Sequence, residues 1–161
     1  MSDIHEQLRA LLDEHGAVYR VVEHEPEGRS ELIAKIRGNR LEQAIKSMVV
    51  QARFGKQDSR YYLANVPANC RVDLEAIKAQ FEATRVAIAP REKAEALAGC
   101  PIGAVPPFSF NDGLIVLADP LIEANEEVVF NAGRLDRSIF MNSSDYMRIA
   151  RPQVGKFALQ G

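Results

Sequence analysis

The chain has 161 residues, 47% of them hydrophobic and 26% charged, with a formal net charge of −2. That balance suits one globular domain over residues 1–161 with a buried core. It speaks against a generic nucleic-acid binder, DNA included, and no apolar run reaches membrane-helix length, so no membrane partner is expected.

The opening Met-Ser-Asp-Ile-His-Glu carries acid where a signal peptide carries base and apolar residues, so the expected location is cytoplasmic. Asp3 is placed to cap a first helix with Leu8, Leu11 and Leu12 on one face and Gly16 at its end. Val18–His24 reads as a strand, broken by Glu25-Pro26-Glu27-Gly28. A short helix from Ser30 to Ile36 ends at Gly38, and a brief turn follows over Leu41–Ala44. Ile45–Arg53 and Arg60–Val66 form a hairpin pair around Phe54–Asp58. Asp73 caps a helix carrying Leu74, Ile77, Lys78 and Phe81. Val86–Ile88 is a short strand, and Pro90 opens a helix that runs to Ala98. Leu114–Asp119 is a continuous apolar strand, buried on both faces by its pattern. Glu127–Asn131 and Ser138–Met141 are two more strands around the Ala132–Asp136 turn, and Ser143 opens a last helix to Ile149. Interleaved helices with two hairpins predict a mixed α/β fold: a curved, partly barrel-like mixed β-sheet with surrounding helices.

The charge is unevenly spread. Residues 1–27 hold seven acids and two bases, residues 29–56 hold seven bases and two acids, and residues 134–156 hold five bases and two acids. If the two basic segments meet, they form a local phosphate-binding face; otherwise they are solvated surface.

Few residues offer chemistry. The three histidines and two cysteines show no metal-ligand spacing, and no nucleophile elbow, phosphate loop or dinucleotide fingerprint is present. Cys70 and Cys100 read as buried small hydrophobes. His5 and His15 are expected at the solvent face of the first helix, and His24 sits between two glutamates. Lys46 lies in an apolar strand and by period two shares a face with Met48 and Val50. Such a lysine snorkels, guards an edge, or points its charge into a pocket. Cys100–Phe110 is apolar but interrupted by Pro101, Gly103, Pro106 and Pro107. The prolines make Val105 and Pro106 extended and leave N–H groups at Gly103, Ala104 and Val105 free for an anion or carbonyl oxygen. Alone, the stretch reads as a tight turn between core elements. Phe130-Asn131-Ala132-Gly133 is a small-residue turn that lets a ligand or another backbone approach, or an ordinary hairpin turn.

Four stretches in this order carry a resemblance: Tyr19–Glu25, Ala44–Val49, Gly103–Phe108, and Phe130–Gly133 with Leu135-Asp136. Together they resemble the YbaK/ProX family of aminoacyl-tRNA editing domains, and within it the free-standing YeaK-like group. The resemblance implies a hydrolase that acts in trans on mischarged tRNA and cleaves the ester of a small amino acid such as Ser, Thr, Ala or Cys. It implies Lys46 as the key residue and Gly103, Ala104 and Val105 as a loop holding the ester oxygen. His24, Met48, Pro106, Pro107, Phe108, Asn131, Gly133 and Asp136 would line the substrate pocket, with Arg37 and Arg40 on the tRNA. No metal or cofactor is implied. The partners are the tRNA acceptor end and, as an option, an aminoacyl-tRNA synthetase.

An aminoacyl ester is already activated, so positioning and oxyanion stabilisation suffice without a triad. Lys46 would hold the terminal adenosine phosphate or the substrate carbonyl. The neighbouring ribose hydroxyl would activate the water, with His24 as the alternative base. Phe108 or Tyr62 would stack a base. Family members often have Gly-Gly-Val-Ser-Pro where this chain has Gly-Ala-Val-Pro-Pro, a stiffer and less polar loop. The competing reading on the same fold is a non-catalytic tRNA- or synthetase-binding module.

Overall fold

The computed structural model describes residues 3–160. Helix α1 (Ile4–Glu14) starts where expected: the Asp3 carboxylate accepts the Glu6 N–H at 2.9 Å, and Leu8 and Leu12 are fully buried. Strand β1 (Tyr19–Glu23) follows, then α2 (Ser30–Arg37) and a 3-10 turn at Leu41–Gln43.

The hairpin is the longest element of the fold. Strands β2 (Ile45–Phe54) and β3 (Asp58–Pro67) pair antiparallel from Ile45↔Pro67 to Phe54↔Asp58. Next come β4 (Cys70–Val72), α3 (Leu74–Phe81), β5 (Arg85–Ile88) and α4 (Arg91–Ala98). After the Cys100–Phe110 loop lie β6 (Leu114–Ala118), β7 (Glu127–Arg134), β8 (Arg137–Asn142) and α5 (Ser143–Ala150). The tail adds β9 (Gln153–Val154) and β10 (Ala158–Gln160). β4, β9 and β10 are two- or three-residue strands whose pairing comes from partners far along the chain, so no local pattern announces them.

One sheet runs β5-β2-β3-β6-β9, a second β1-β8-β7, and β10 pairs with β4. β6 lies parallel to both β3 and β9, while the other ladders are antiparallel. The larger sheets meet at a parallel bridge between Ala44 and Val129. The ladders do not close: among the described residues β5 and β9 remain edges, so the mixed α/β prediction holds and the barrel-like closure is only partial.

Period two decides what each strand residue meets. On β2, Val50 and Ala52 pack with Tyr62, Ala64, Val66 and Ile77, where Tyr62 stacks on Phe81 with ring centroids 4.5 Å apart. Val49, on the other face, packs with Leu63, Ala104 and Val105. A third cluster joins Leu8 and Leu12 to Phe130, Ile139 and Tyr146. Burial of each Val, Leu, Ile or Phe side chain among these contributes about 1.5–3 kcal/mol. β6 departs from the expectation of burial on both faces, because Ile115 and Val116 are only half-buried.

His5 corrects the sequence reading. It is buried, not solvent-facing, and its Nδ1–H donates to the Ala132 carbonyl at 2.7 Å. The helix periodicity places it beside the β7 bulge between Asn131 and Arg134, which the sequence shows only as a turn. Among the described residues no helix is long and apolar enough to cross a membrane.

Candidate functional site

A cavity of about 170 Å³ opens beside the first half of β2. Its wall is built from Ile45–Val49, from Ser30, Ile33 and Arg37 of α2, and from Gly28, Ile102, Gly103, Val105 and Asn131. The α2 residues follow the i, i+3, i+7 spacing of one helix face, so a helix of only two turns presents all three together.

The cavity exists there because β5 is short. Its ladder with β2 stops at Val50↔Ile88, with one more bond from the Ala89 N–H to the Val49 carbonyl at 2.9 Å. The Ala68 N–H donates to the Ala44 carbonyl at 2.9 Å, which sets the even-numbered residues of β2 as those that bond into β3. Ser47 therefore turns its own N–H and C=O to the open edge, where the cavity lies.

The second wall is a crossing of two backbones. Gly103 has φ +91°, and a Cβ there would sit 2.8 Å from the Gly28 Cα. Asn131 locks the crossing: its Nδ2 donates to the Glu27 carbonyl and to the Gly103 carbonyl, both at 2.8 Å. Its Oδ1 accepts from Ser138 Oγ at 3.0 Å and from Arg37 at 3.3 Å. All four hydrogen-bonding positions of the amide are thus used, so Asn131 lines the cavity as a clamp with no free donor for a substrate.

The Cys100–Phe110 loop is held along its length. The Ile102 N–H donates to Glu95 Oε2 at 2.8 Å, and the Ala104 carbonyl accepts the Gly133 N–H at 2.8 Å. The Pro107 carbonyl accepts Tyr146 Oη–H at 3.0 Å. One expected donor is lost: the Ala104 N–H is taken by the Pro101 carbonyl at 3.0 Å, because the loop makes a tight turn there, and Ala104 is fully buried. Among the described residues no acceptor meets the N–H of Gly103 or Val105, and both residues line the cavity.

The other predicted residues divide. Lys46, Met48, Gly103, Val105, Asn131 and Arg37 come together around the cavity. His24 stands behind it: Nδ1–H donates to the Glu25 carbonyl at 2.8 Å, and Nε2 lies 2.6 Å from Ser138 Oγ. Pro106, Pro107 and Phe108 are buried beneath the loop, Phe108 edge-on to Tyr146 at 5.2 Å. Phe108 and Tyr62 are both core residues, which removes them as stacking platforms for a base; the exposed apolar residues at the cavity wall are Ile88 and Ile102. Gly133 packs under α1, and Asp136 sits outside the cavity, paired with Arg137 at 3.0 Å. Arg40 is exposed and paired with Glu42 at 3.4 Å. Sequence reasoning passed over Gly28, Ser47 and Ser138. Gly28 reads locally as a strand breaker, and only its crossing with Gly103 gives it a place in the site.

Five of the twelve bases in the two basic segments are neutralised. Arg29, Arg40, Arg134, Arg137 and Arg148 each meet a carboxylate. The cavity wall holds Lys46 and Arg37 and no Asp or Glu. Burial lowers the pKa of Lys46, with Cys70 opposing and Arg71 adding smaller effects, and burial lowers that of Arg37 to about 10. Among the described residues no group of three or more His, Cys, Asp or Glu is placed to hold a metal ion. The site thus offers fixed positive charge and free backbone N–H groups, the equipment for stabilising an oxyanion rather than for generating a strong nucleophile.

Comparison with known proteins agrees with that chemistry. A family model described as an aminoacyl-tRNA editing domain matches residues 24–149. The Escherichia coli K12 protein named multifunctional Ser/Thr-tRNA deacylase ProXp-y is 39% identical over 154 residues, covering 95% of this chain and 92% of that protein. The crystallised protein APE2540 shares the fold with a TM-score of 0.86 at 16% identity, over 95% of this chain and 99% of its own. A crystallised candidate trans-editing enzyme for prolyl tRNA synthetase gives a TM-score of 0.79 at 22% identity, over 99% of both chains.

Proposed function

The chain belongs to the aminoacyl-tRNA editing domain family, and from that premise we propose that it hydrolyses the ester of mischarged tRNA in trans, with seryl and threonyl esters as substrates. The observation that carries this reading is the pairing of Lys46 with the Gly103 loop around one small cavity free of acidic side chains.

The ester carbonyl oxygen sits against the N–H groups of Gly103 and Val105, with the Lys46 ammonium adding charge. Water attacks the carbonyl carbon, and negative charge gathers on that oxygen. The tetrahedral adduct then expels the ribose oxygen, which takes up the proton lost by the water. The products are the free amino acid and a tRNA with both terminal hydroxyls restored. A preset donor at such an oxygen is worth about 2.7–4 kcal/mol. The prolines and the bonds at Ala104 and Pro107 hold the loop, so the donors need no reorganisation as charge develops.

No histidine or carboxylate lines the cavity to take the water's proton. The ribose hydroxyl beside the ester is the base this site leaves available, which makes the reaction substrate-assisted. His24 acts one step back, through Ser138 and Asn131. The cavity of about 170 Å³ suits a small side chain.

The deciding experiment incubates the protein with a panel of tRNAs carrying Ser, Thr, Ala, Cys and cognate amino acids. Seryl- and threonyl-tRNA are expected to be cleaved, with Lys46→Ala losing about 100-fold or more in kcat/KM while keeping its fold. Binding of tRNA without cleavage of any ester would make the protein a binding module instead.

A further inference from the structure

We propose that Arg37 binds the phosphodiester on the 5′ side of the terminal adenosine, inside the cavity; this rests on the deacylase reading above. Arg37 occupies the last turn of α2, where an arginine ordinarily serves its own helix's carbonyls. It does not do so here. Nε donates to Asn39 Oδ1 at 2.9 Å, and NH1 donates to Ser138 Oγ at 3.1 Å and to Asn131 Oδ1 at 3.3 Å. Every partner is neutral, and among the described residues no ion pair includes Arg37 and no acceptor meets its second terminal nitrogen.

A partly buried guanidinium without a counter-ion is costly, as its depressed pKa reflects. Its cost falls when an anion arrives, and the second terminal nitrogen, which no acceptor meets among the described residues, keeps its N–H groups for phosphate oxygens. Of the other arginines near the site, Arg29 is matched with Glu27, Arg40 with Glu42, and Arg137 with Glu23 and Asp136, while Arg71, close enough to act on Lys46, does not line the cavity. The carboxylate released by hydrolysis forms at the ester itself, beside Gly103. The standing anion elsewhere on the substrate's end is the phosphodiester. Asn131 connects the two places, gripping Arg37 with its oxygen and the Gly103 carbonyl with its nitrogen. One side chain thus registers the phosphate site against the ester site.

The test uses two uncharged dinucleotides, cytidylyl-adenosine and its neutral methylphosphonate-linked analogue, with affinities read by NMR titration into the full chain. The wild type is expected to prefer the phosphodiester by about 10–100-fold, the range of a charged hydrogen bond. In Arg37→Met that ratio falls to about 1, and in Arg37→Lys, which keeps the charge but loses the Nε and NH1 bonds that aim it, it is intermediate. A ratio retained in Arg37→Met overturns the proposal, since a merely structural role would weaken both ligands alike. Equal affinities in the wild type, or no shift with either ligand at millimolar concentration, overturn it as well. Turnover on mischarged tRNA is measured separately: a ratio that collapses as expected in a protein without turnover sinks the deacylase reading and leaves the anion site standing.

Discussion

Gly103 and Gly133 look alike in every local respect and serve different ends. Both have positive φ, +91° and +83°, and in each case another backbone occupies the place of a side chain: Gly28 Cα at 2.8 Å and His5 N at 2.7 Å. Gly103 borders the cavity, and its close neighbour is the other wall of that cavity. Gly133 lies behind it, where its missing side chain lets the first turn of α1 rest on β7 and lets His5 reach the Ala132 carbonyl. A glycine in a small-residue turn therefore announces a close approach, not a ligand. The two are also joined, since the Gly133 N–H holds the Ala104 carbonyl one residue from Gly103. One crossing shapes the site, and the other braces the loop that forms it.

The comparison breaks most visibly with Gly103→Ala. The new Cβ pushes Gly28 away and displaces the Gly103 and Val105 N–H groups. A shift of that order costs about 100-fold in a positioned reaction, read as kcat/KM on seryl-tRNA. Gly133→Ala is expected to do the reverse, losing about 1–3 kcal/mol of stability in denaturant unfolding. Its kcat/KM per folded molecule stays within about 3-fold, and equal activity losses in the two variants would end the distinction.

Asn131→Ala sharpens it further. It frees the Glu27 and Gly103 carbonyls and strands Ser138 and Arg37, for about 1–3 kcal/mol and a roughly 10-fold loss in kcat. A rise in KM with kcat unchanged would make Asn131 a substrate contact instead.

Acidity gives a smaller effect with a definite sign. Burial lowers the pKa of Lys46 below the ordinary 10.5, so its charge disappears earlier on the alkaline side than that of a free lysine. Background-corrected kcat is expected to fall as pH rises through that lowered value, and Lys46→Arg should remove this alkaline limb. Stability responds oppositely: between the folded value and 10.5 the unfolded chain binds more proton, so Lys46 adds stability as pH rises.

The smallest expected response is that of Cys100, whose thiol burial pushes up to about 12. In the native protein it should resist alkylation at pH 8, read by intact mass, and should react on unfolding.

The hairpin of β2 and β3, the Asp3 and Asp73 caps, and the break at Pro101–Pro107 were legible because each rests on neighbours in sequence: alternation, a capping oxygen, a missing donor. Lys46 and Gly103 were legible as a pair through the resemblance, not through spacing. Phe108 and Tyr62 were misread as stacking surfaces, because an aromatic at a loop edge and one in the core have the same local pattern. What the sequence by itself determined is therefore the order of the longer elements, the family, and the residue types proposed for the site. Tertiary structure alone decided that Gly28 crosses Gly103, that β5 stops short and bares Ser47, that Ala104 spends its N–H on Pro101, and that Arg37 alone of the nearby arginines faces the cavity without an acid. The physical reason is that a hydrogen bond or a counter-ion is assigned by which distant segment the fold brings within about 3 Å, and no local periodicity carries that information.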